Sequence, residues 1–260
     1  MKVTPIKTRL IRANQCSLEE LMAEMPGTLE EKSIVAVSSK VVALCQNRVV
    51  DASTVTKDDL IKREAHFYTP ESFNRYGFHF TITNNTFISS AGIDESNGDG
   101  YFVLWPQNPQ RVANELRTFL CKHFGVKDIG VIITDSSSMP PMRLGTIGIL
   151  LAHSGFAAVN QLAGKKDLFD RPFKVERAAV GSGLAAAANV VMGEGAEQTP
   201  IAVISDIPFV RFQQRSPTSD ELKATYISPE DDLYAPFMQL APWEKGGAPA
   251  YRPDIESHRT

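Results

Sequence analysis

The sequence predicts an α/β (α+β) fold of mixed sheets with flanking helices, and three observations carry that expectation. The runs "SIVAVSS", "IGVIIT" and "IAVIS" are short, β-branched and continuously apolar, as strands covered on both faces are. Segments such as "PQRVANELRTFLCKHF" instead repeat their apolar residues at helical spacing. With 260 residues, 43% of them hydrophobic, the chain can fill one large core or two modest ones.

Taken in order, "MKVTPI" reads as a first short strand. Ser17 and Glu20 form a capping box: the serine hydroxyl can accept from the Glu20 amide while the Glu20 carboxylate reaches back. The helix it opens should end near Pro26-Gly27. "SIVAVSSKVVAL" is β-branched enough to read as a buried strand running into Ser38-Ser39-Lys40. "FHFTIT", "TFISSA" and "YFVLW" read as strands, with Asn84-Asn85 suited to a hairpin turn. Pro109 takes a first helical position, Val112, Leu116, Phe119 and Leu120 follow at helical spacing, and Gly125 closes the helix. "IGVIIT" is a buried strand delivering Asp135 at its tip. "GLAAAANVVMG" is a helix with glycine at both ends, and "IAVIS" an internal strand. Beyond it the composition changes. The organisation is a catalytic region over 1–209 and a proline-rich, charged extension over 210–260, its final fifteen or so residues mobile.

A formal charge of −3 and a pI near 6.0 argue against a nucleic-acid binder working by bulk electrostatics. Three scattered cysteines, Cys16, Cys45 and Cys121, suit reduced thiols better than a disulfide frame or a structural zinc site. There is no apolar signal segment and no run approaching the roughly 20 residues of a spanning helix. The expectation is a cytoplasmic protein with no membrane or nucleic-acid partner.

Several catalytic devices are absent. Gly164-Lys165 lacks the upstream glycine of a P-loop, no G-x-G-x-x-G follows a strand, and "VGSG" is not a nucleophile elbow. The stretch after Asp94 fails as a calcium loop, because Asp99 stands where glycine is needed and Trp105 where glutamate is needed. The five histidines show no metal-ligand spacing and read singly as structural residues. What remains is carboxylates at element ends: Asp94 after "TFISSAGI", Asp135 after "GVIIT" and Glu194 after the "AAAANVVMG" helix. Oxygen ligands beside glycine or serine suit a hard cation such as Mg²⁺ or Mn²⁺ with substrate phosphate. On spacing alone, turn and cap chemistry explains the same residues.

The runs "SSAGIDESN", "GVIITDS", "RLGTIG", "GKKDLFDR" and "LAAAANVVMGEGAE" resemble, in order, those of the coenzyme F-420:γ-glutamyl ligase family over roughly residues 1–205. "ESNGDGYFVLWP" and "TPIKTRLI" are most similar to a bacterial branch associated with folate metabolism as γ-glutamate ligases. The resemblance implies a family-specific fold, neither P-loop nor Rossmann, assembled as an intertwined homodimer. It implies GTP- (or ATP-) and metal-dependent addition of L-glutamate to a small carboxylate-bearing cofactor, F-420-like or folate-like.

By the same resemblance, Asp94, Asp135, Ser136 and Glu194 are the metal contacts, and Asp94, Asp135 and Arg143 the catalytic residues. Nucleotide contacts fall at Thr8, Arg9, Leu10, Ile11, Ser38, Ser39, Lys40, Asn97, Met192, Gly193 and Gly195. Lys165, Lys166 and Arg171 are further candidates for pairing phosphate or carboxylate. The chain departs from the family pattern at Gly181-Ser182-Gly183, in the loop 137–141, and at Leu44, which stands where the family has a lysine, so that either Lys40 takes over that phosphate contact or no residue does. The implied chemistry is phosphorylation of the acceptor carboxylate, then attack of the glutamate amine on the acyl phosphate. The rival classes are a nucleotide- or cofactor-binding relative without ligase activity, and a metal-dependent phosphotransferase or hydrolase with another acceptor.

Overall fold

The computed structural model describes residues 1–15, 17–138 and 142–249. Cys16, the 139–141 part of the altered loop and residues 250–260 of the tail lie outside that set.

The elements run β1 (Lys2–Ile6), α1 (Leu18–Ala23), β2 (Ile34–Ser38), α2 (Ser39–Cys45), β3 (Val49–Asp51), α3 (Lys57–Glu64), β4 (Phe67–Tyr68), β5 (Phe80–Thr83), β6 (Thr86–Ser89) and β7 (Tyr101–Val103). There follow α4 (Pro109–Phe124), β8 (Gly130–Ser138), β9 (Thr146–Ser154), β10 (Asn160–Gln161), β11 (Arg177–Ala178), α5 (Val180–Met192), β12 (Ile201–Ser205), α6 (Ser219–Lys223), α7 (Ala235–Met238) and β13 (Glu244–Lys245). Single 3-10 turns occupy Glu71–Phe73 and Ser90–Gly92.

A five-stranded sheet in the order β1-β12-β2-β8-β9 forms the centre; β2 and β8 are parallel and the other pairs antiparallel. Strands β2 and β12 and the first half of β8 read as nearly unbroken apolar runs because both faces are covered. Val35, Val37, Val131 and Ile133 pack on one side with residues of α1, α2 and α4; Ile34, Ala36 and Ile132 pack on the other with Leu184, Ala185 and Ala188 of α5. A second unit contains the sheet β13-β4-β5-β6 and the ribbon β3-β7, with α3 packed through Leu60 and Ile61 against Ala91, Ile93, Phe102 and Leu104. Mixed sheets with flanking helices are therefore the architecture, and no sheet closes into a barrel. Among the described residues no helix is long and apolar enough to cross a membrane.

Local chemistry explains most elements. The Ser17–Glu20 capping box is made in both directions, and Asn84 and Asn85 take positive φ, as a two-residue hairpin turn between β5 and β6 requires. Three expectations change. The stretch after Ser38 turns into helix α2 instead of prolonging a strand: Val41, Val42, Ala43 and Leu44 are buried there, and that packing overrides their β preference. Asp135 is not a strand tip but the sixth residue of the nine-residue β8, opposite Ile149, just past an irregularity in register between Ile133 and Thr134. Helix α5 begins at Val180, before the glycines, and Gly181 lies in its first turn against Leu150 and Ala158, where a Cβ would come within 2.8 Å of the Leu150 side chain.

The extension beyond 209 packs back on the body as far as it is described. Phe212 bridges to Phe156, Leu222 of α6 is buried, and β13 pairs with β4.

Candidate functional site

The carboxyl ends of the parallel strands β2 and β8 lie at the same edge of the central sheet as the start of β12 and the end of β1, since Ser38 pairs with Thr134 and Ile6 with Ile201. Open sheets bind ligands at such an edge. Here it carries a cleft of about 310 Å³ lined by five segments: residues 8–11, the turn of chain from Ser38 to Leu44, the Asp94–Asn97 loop, Thr134–Ser136 of β8, and the stretch from Asn189 to Pro200.

Of the residues singled out in the sequence, Thr8, Arg9, Leu10, Ile11, Ser38, Lys40, Asp94, Asn97, Asp135, Ser136, Met192, Gly193, Glu194 and Gly195 all line this cleft. Two do not. Ser39 is buried beneath it, its side chain hydrogen-bonded to Asp135. Arg143 stands on the exposed turn before β9 and donates to the neighbouring Met142 carbonyl. Lys165, Lys166 and Arg171 also sit away from it, on an exposed loop where Lys166 pairs with Asp170 at 3.0 Å.

Asp94 follows three consecutive left-handed residues, Ser90, Ala91 and Gly92, with φ of 54°, 53° and 70°. Such backbone is uncommon outside glycine and costs of order 1 kcal/mol or more per residue, so the surrounding structure must hold it. It is held: the Ser90 amide donates to His79 O at 3.0 Å, the Ala91 amide to Thr81 Oγ1 at 2.9 Å, and Gly92 lies against the Trp105 indole. The Asp94 carboxylate then accepts from the Ser96 amide at 2.9 Å and the Ser96 hydroxyl at 2.8 Å, and Lys40 Nζ sits 2.6 Å from its Oδ2. Burial pushes this carboxyl up, but Lys40 and Ser96 together outweigh burial and hold it below the ordinary value. Lys40 also donates to the Ser96 carbonyl at 2.9 Å.

Asp135 is set differently. Burial dominates and raises it, offset in part by the Trp105 indole N–H, Ser39, the Ser136 amide and Lys40. The residue keeps some surface in the cleft while its carboxyl is surrounded by protein. Trp105, itself buried, thus secures one Asp135 oxygen from behind. Nothing in the sequence around Trp105 marked it for this part; the contact spans 30 positions. Ser96, Asn189, Glu197, Gln198 and Thr199 also line the cleft without having been singled out.

Glu194 follows α5 and is bonded to Asn189 at 2.5 Å, and Asn97, at φ 55°, donates to the Gly195 carbonyl at 3.1 Å, tying the Asp94 loop to the 193–197 loop across the mouth. Asp94, Asp135 and Glu194 share the cleft without closing into a cage. Among the described residues the one group of three His, Cys, Asp or Glu ligand atoms within 4.8 Å of one another is Asp58, Glu71 and His79. The donor set still fits a Mg²⁺- or Mn²⁺-type ion, which takes one or two carboxylates and fills its shell with waters and phosphate oxygens. An ammonium already occupies the place where a cation's charge is wanted, against Asp94. Leu44 and Lys40 lie one helical turn apart on α2 and both line the cleft.

The family model described as F420-0:Gamma-glutamyl ligase matches residues 5–206. A protein named Coenzyme F420:L-glutamate ligase from Methanopyrus kandleri is 35% identical over 238 residues, covering 84% of this chain and 90% of the relative. One of the same name from Methanocaldococcus jannaschii is 31% identical over 212 residues, 75% of this chain and 84% of the relative. One from Haloarcula marismortui reaches 40% over 121 residues, 46% of each. The matched span holds every segment that lines the cleft, and the chain belongs to the F420-0:γ-glutamyl ligase family.

Proposed function

We propose that this chain joins L-glutamate through an amide bond to a small carboxylate-bearing cofactor, F420-like or folate-like, at the expense of GTP or ATP and with Mg²⁺ or Mn²⁺. The observation that carries this reading is the convergence of Asp94, Asp135, Glu194 and Lys40, from four distant segments, on one cleft at the carboxyl end of β2 and β8. The names of the relatives support L-glutamate as the amine and an F420-type acceptor.

In this reading Asp94, Asp135, Ser136 and Glu194 hold the divalent ion. When bound, the ion offsets charge on the β- and γ-phosphate oxygens during transfer. Lys40, now 2.6 Å from Asp94 Oδ2, would supply its charge to the phosphates. Thr8–Ile11, Ser38 and the 192–195 loop hold the nucleotide, with Asn97 keeping the two loops together over it. An acceptor carboxylate oxygen attacks the γ-phosphorus and the nucleoside diphosphate leaves. The glutamate nitrogen then attacks the acyl carbon, phosphate leaves, and the amine gives up a proton.

The same proposal includes a homodimer. Leu144 is 101% exposed, Leu168 97% and Phe169 80%, on two loops that extend from the body. A second copy of this chain, as the resemblance implies, is the partner we assign to cover these bare apolar side chains; Arg143 precedes Leu144 on the turn before β9.

The test is incubation with nucleotide, Mn²⁺, radiolabelled glutamate and either a deazaflavin or a pterin acceptor. Label appearing in the acceptor only when nucleotide and metal are both present is the expected result. Nucleotide binding without incorporation into any acceptor, or phosphate release indifferent to glutamate, would refute the ligase reading.

A further inference from the structure

Away from the cleft, His79, Asp58 and Glu71 come from three different elements: the residue before β5, the first turn of α3 and the 3-10 turn at Glu71–Phe73. Their ligand atoms all lie within 4.8 Å of one another. His79 is 3% exposed, with Nδ1 2.6 Å from the Thr69 carbonyl. A carbonyl only accepts, so Nδ1 carries the hydrogen, and Nε2 of a neutral ring presents a lone pair. That lone pair faces Asp58 Oδ1 at 2.6 Å and Glu71 Oε1 at 3.6 Å, both acceptors. A cation between them would satisfy both carboxylates at once. A proton on Nε2 answers only the Asp58 contact and leaves Glu71 out of hydrogen-bond range.

We propose that Asp58, Glu71 and His79 form a second metal site, taking a Zn²⁺-class ion with water as its fourth ligand. One imidazole and two carboxylates are an open tetrahedral donor set for such an ion. Metal–ligand bonds of about 2.0–2.1 Å place tetrahedral ligands roughly 3.3 Å apart; Glu71 Oε1, at 3.6 Å from Nε2, is near that spacing, and Asp58 Oδ1, now at 2.6 Å, would draw back to admit the ion. Outer partners are already in place, as metal ligands usually have: the Thr69 carbonyl orients His79, and Lys62 Nζ, 2.7 Å away, holds the other Asp58 oxygen. The Glu71 side chain is 61% exposed, leaving an open side for water.

The site would be structural. It ties α3 to β5, and the His79 carbonyl accepts the amide of Ser90, the first residue of the left-handed run that aims Asp94 at the cleft. None of the three ligands lines the cleft, so the proposal stands apart from the ligase reading.

The experiment uses the full chain carrying Asp94→Asn and Asp135→Asn, which silences the cleft, stripped with a chelator and titrated with Co²⁺. One equivalent should bind with the visible ligand-field bands of a four-coordinate site, and Zn²⁺ should displace it and raise the melting temperature. Glu71→Gln, at an exposed position that leaves folding untouched, should weaken Co²⁺ binding tenfold or more, and His79→Gln should abolish the bands. Absence of the bands, Co²⁺ affinity unchanged in Glu71→Gln, or ¹⁵N spectra showing both His79 nitrogens protonated at saturating Zn²⁺ would overturn the proposal.

Discussion

Replacing Asp135 by asparagine separates stability from function in this molecule. Burial raises the Asp135 carboxyl despite the Trp105, Ser39, Ser136 and Lys40 contacts, so the charged form is disfavoured in the fold. The sign follows: between the unfolded and folded values the native state holds the extra proton, so stability is lost as pH rises through the folded value. Asparagine has nearly the same shape, can still accept from the Trp105 indole and carries no charge. Removing a partly compensated buried charge is worth about 1 kcal/mol, or roughly 2–4 °C in melting temperature for a chain of this size. The metal-free variant should therefore melt a few degrees higher at pH 8, and the gain should shrink as pH falls. The same change removes a charge-assisted metal contact and should cut metal-dependent turnover by a factor of about 100 or more. Melting curves without metal and steady-state turnover with Mn²⁺ read the two effects. A lower melting temperature would show that Asp135 is a stabilising ion-pair partner, and unimpaired turnover would remove it from the site.

Trp105→Phe keeps the ring packed on Gly92 but deletes the N–H; Mn²⁺ affinity should weaken by about 10–100-fold while the melting temperature of the metal-free protein moves little, and titration with Mn²⁺ by electron paramagnetic resonance checks both affinity and stoichiometry. Lys40→Met breaks a partly exposed ion pair, so stability should change by no more than about 1 kcal/mol while nucleotide KM rises at least tenfold. His153 lies buried in β9, and burial holds its imidazole down at about 4 against 6.5. Stability should thus be full above pH 6.5 and fall by about 3 kcal/mol as pH drops to 4, a slope that His153→Gln should flatten in urea titrations. Leu168→Asp with Phe169→Asp should convert a dimer near twice 28.6 kDa into a monomer by light scattering; a wild-type monomer would remove the dimer assignment.

Much of the framework was legible because local chemistry and packing agree. The Ser17–Glu20 box, the Asn84-Asn85 turn, and Pro109 and Gly125 at the ends of α4 each satisfy their own backbone requirement, so their sequence marks and their geometry coincide. The stretch after Ser38 misled because β-branched residues at 41 and 42 are placed by burial against the sheet, which propensity does not see. Asp135 was legible as a residue of interest but not as a mid-strand one, since the pairing that prolongs β8 comes from β9, more than ten residues on. Its partner Trp105 and the Asp58–Glu71–His79 group were illegible for one reason: each joins elements whose approach is set by sheet order, and sheet order leaves no mark on spacing. Asp94, Asp135 and Glu194 stood out as carboxylates at element ends, but turn chemistry explained each equally well, so resemblance was needed to join them to the other cleft residues.

The central claim is that an acceptor carboxylate is phosphorylated in the cleft bordered by Asp94, Asp135 and Glu194 before glutamate attacks it. Acceptor labelled with ¹⁸O in that carboxylate, turned over with nucleotide, Mn²⁺ and glutamate, tests it most directly through mass analysis of the released phosphate. The account predicts one ¹⁸O in each phosphate, matched by one amide formed. Phosphate free of label would mean that water or another nucleophile took the γ-phosphoryl group, and the assignment of the cleft would fail.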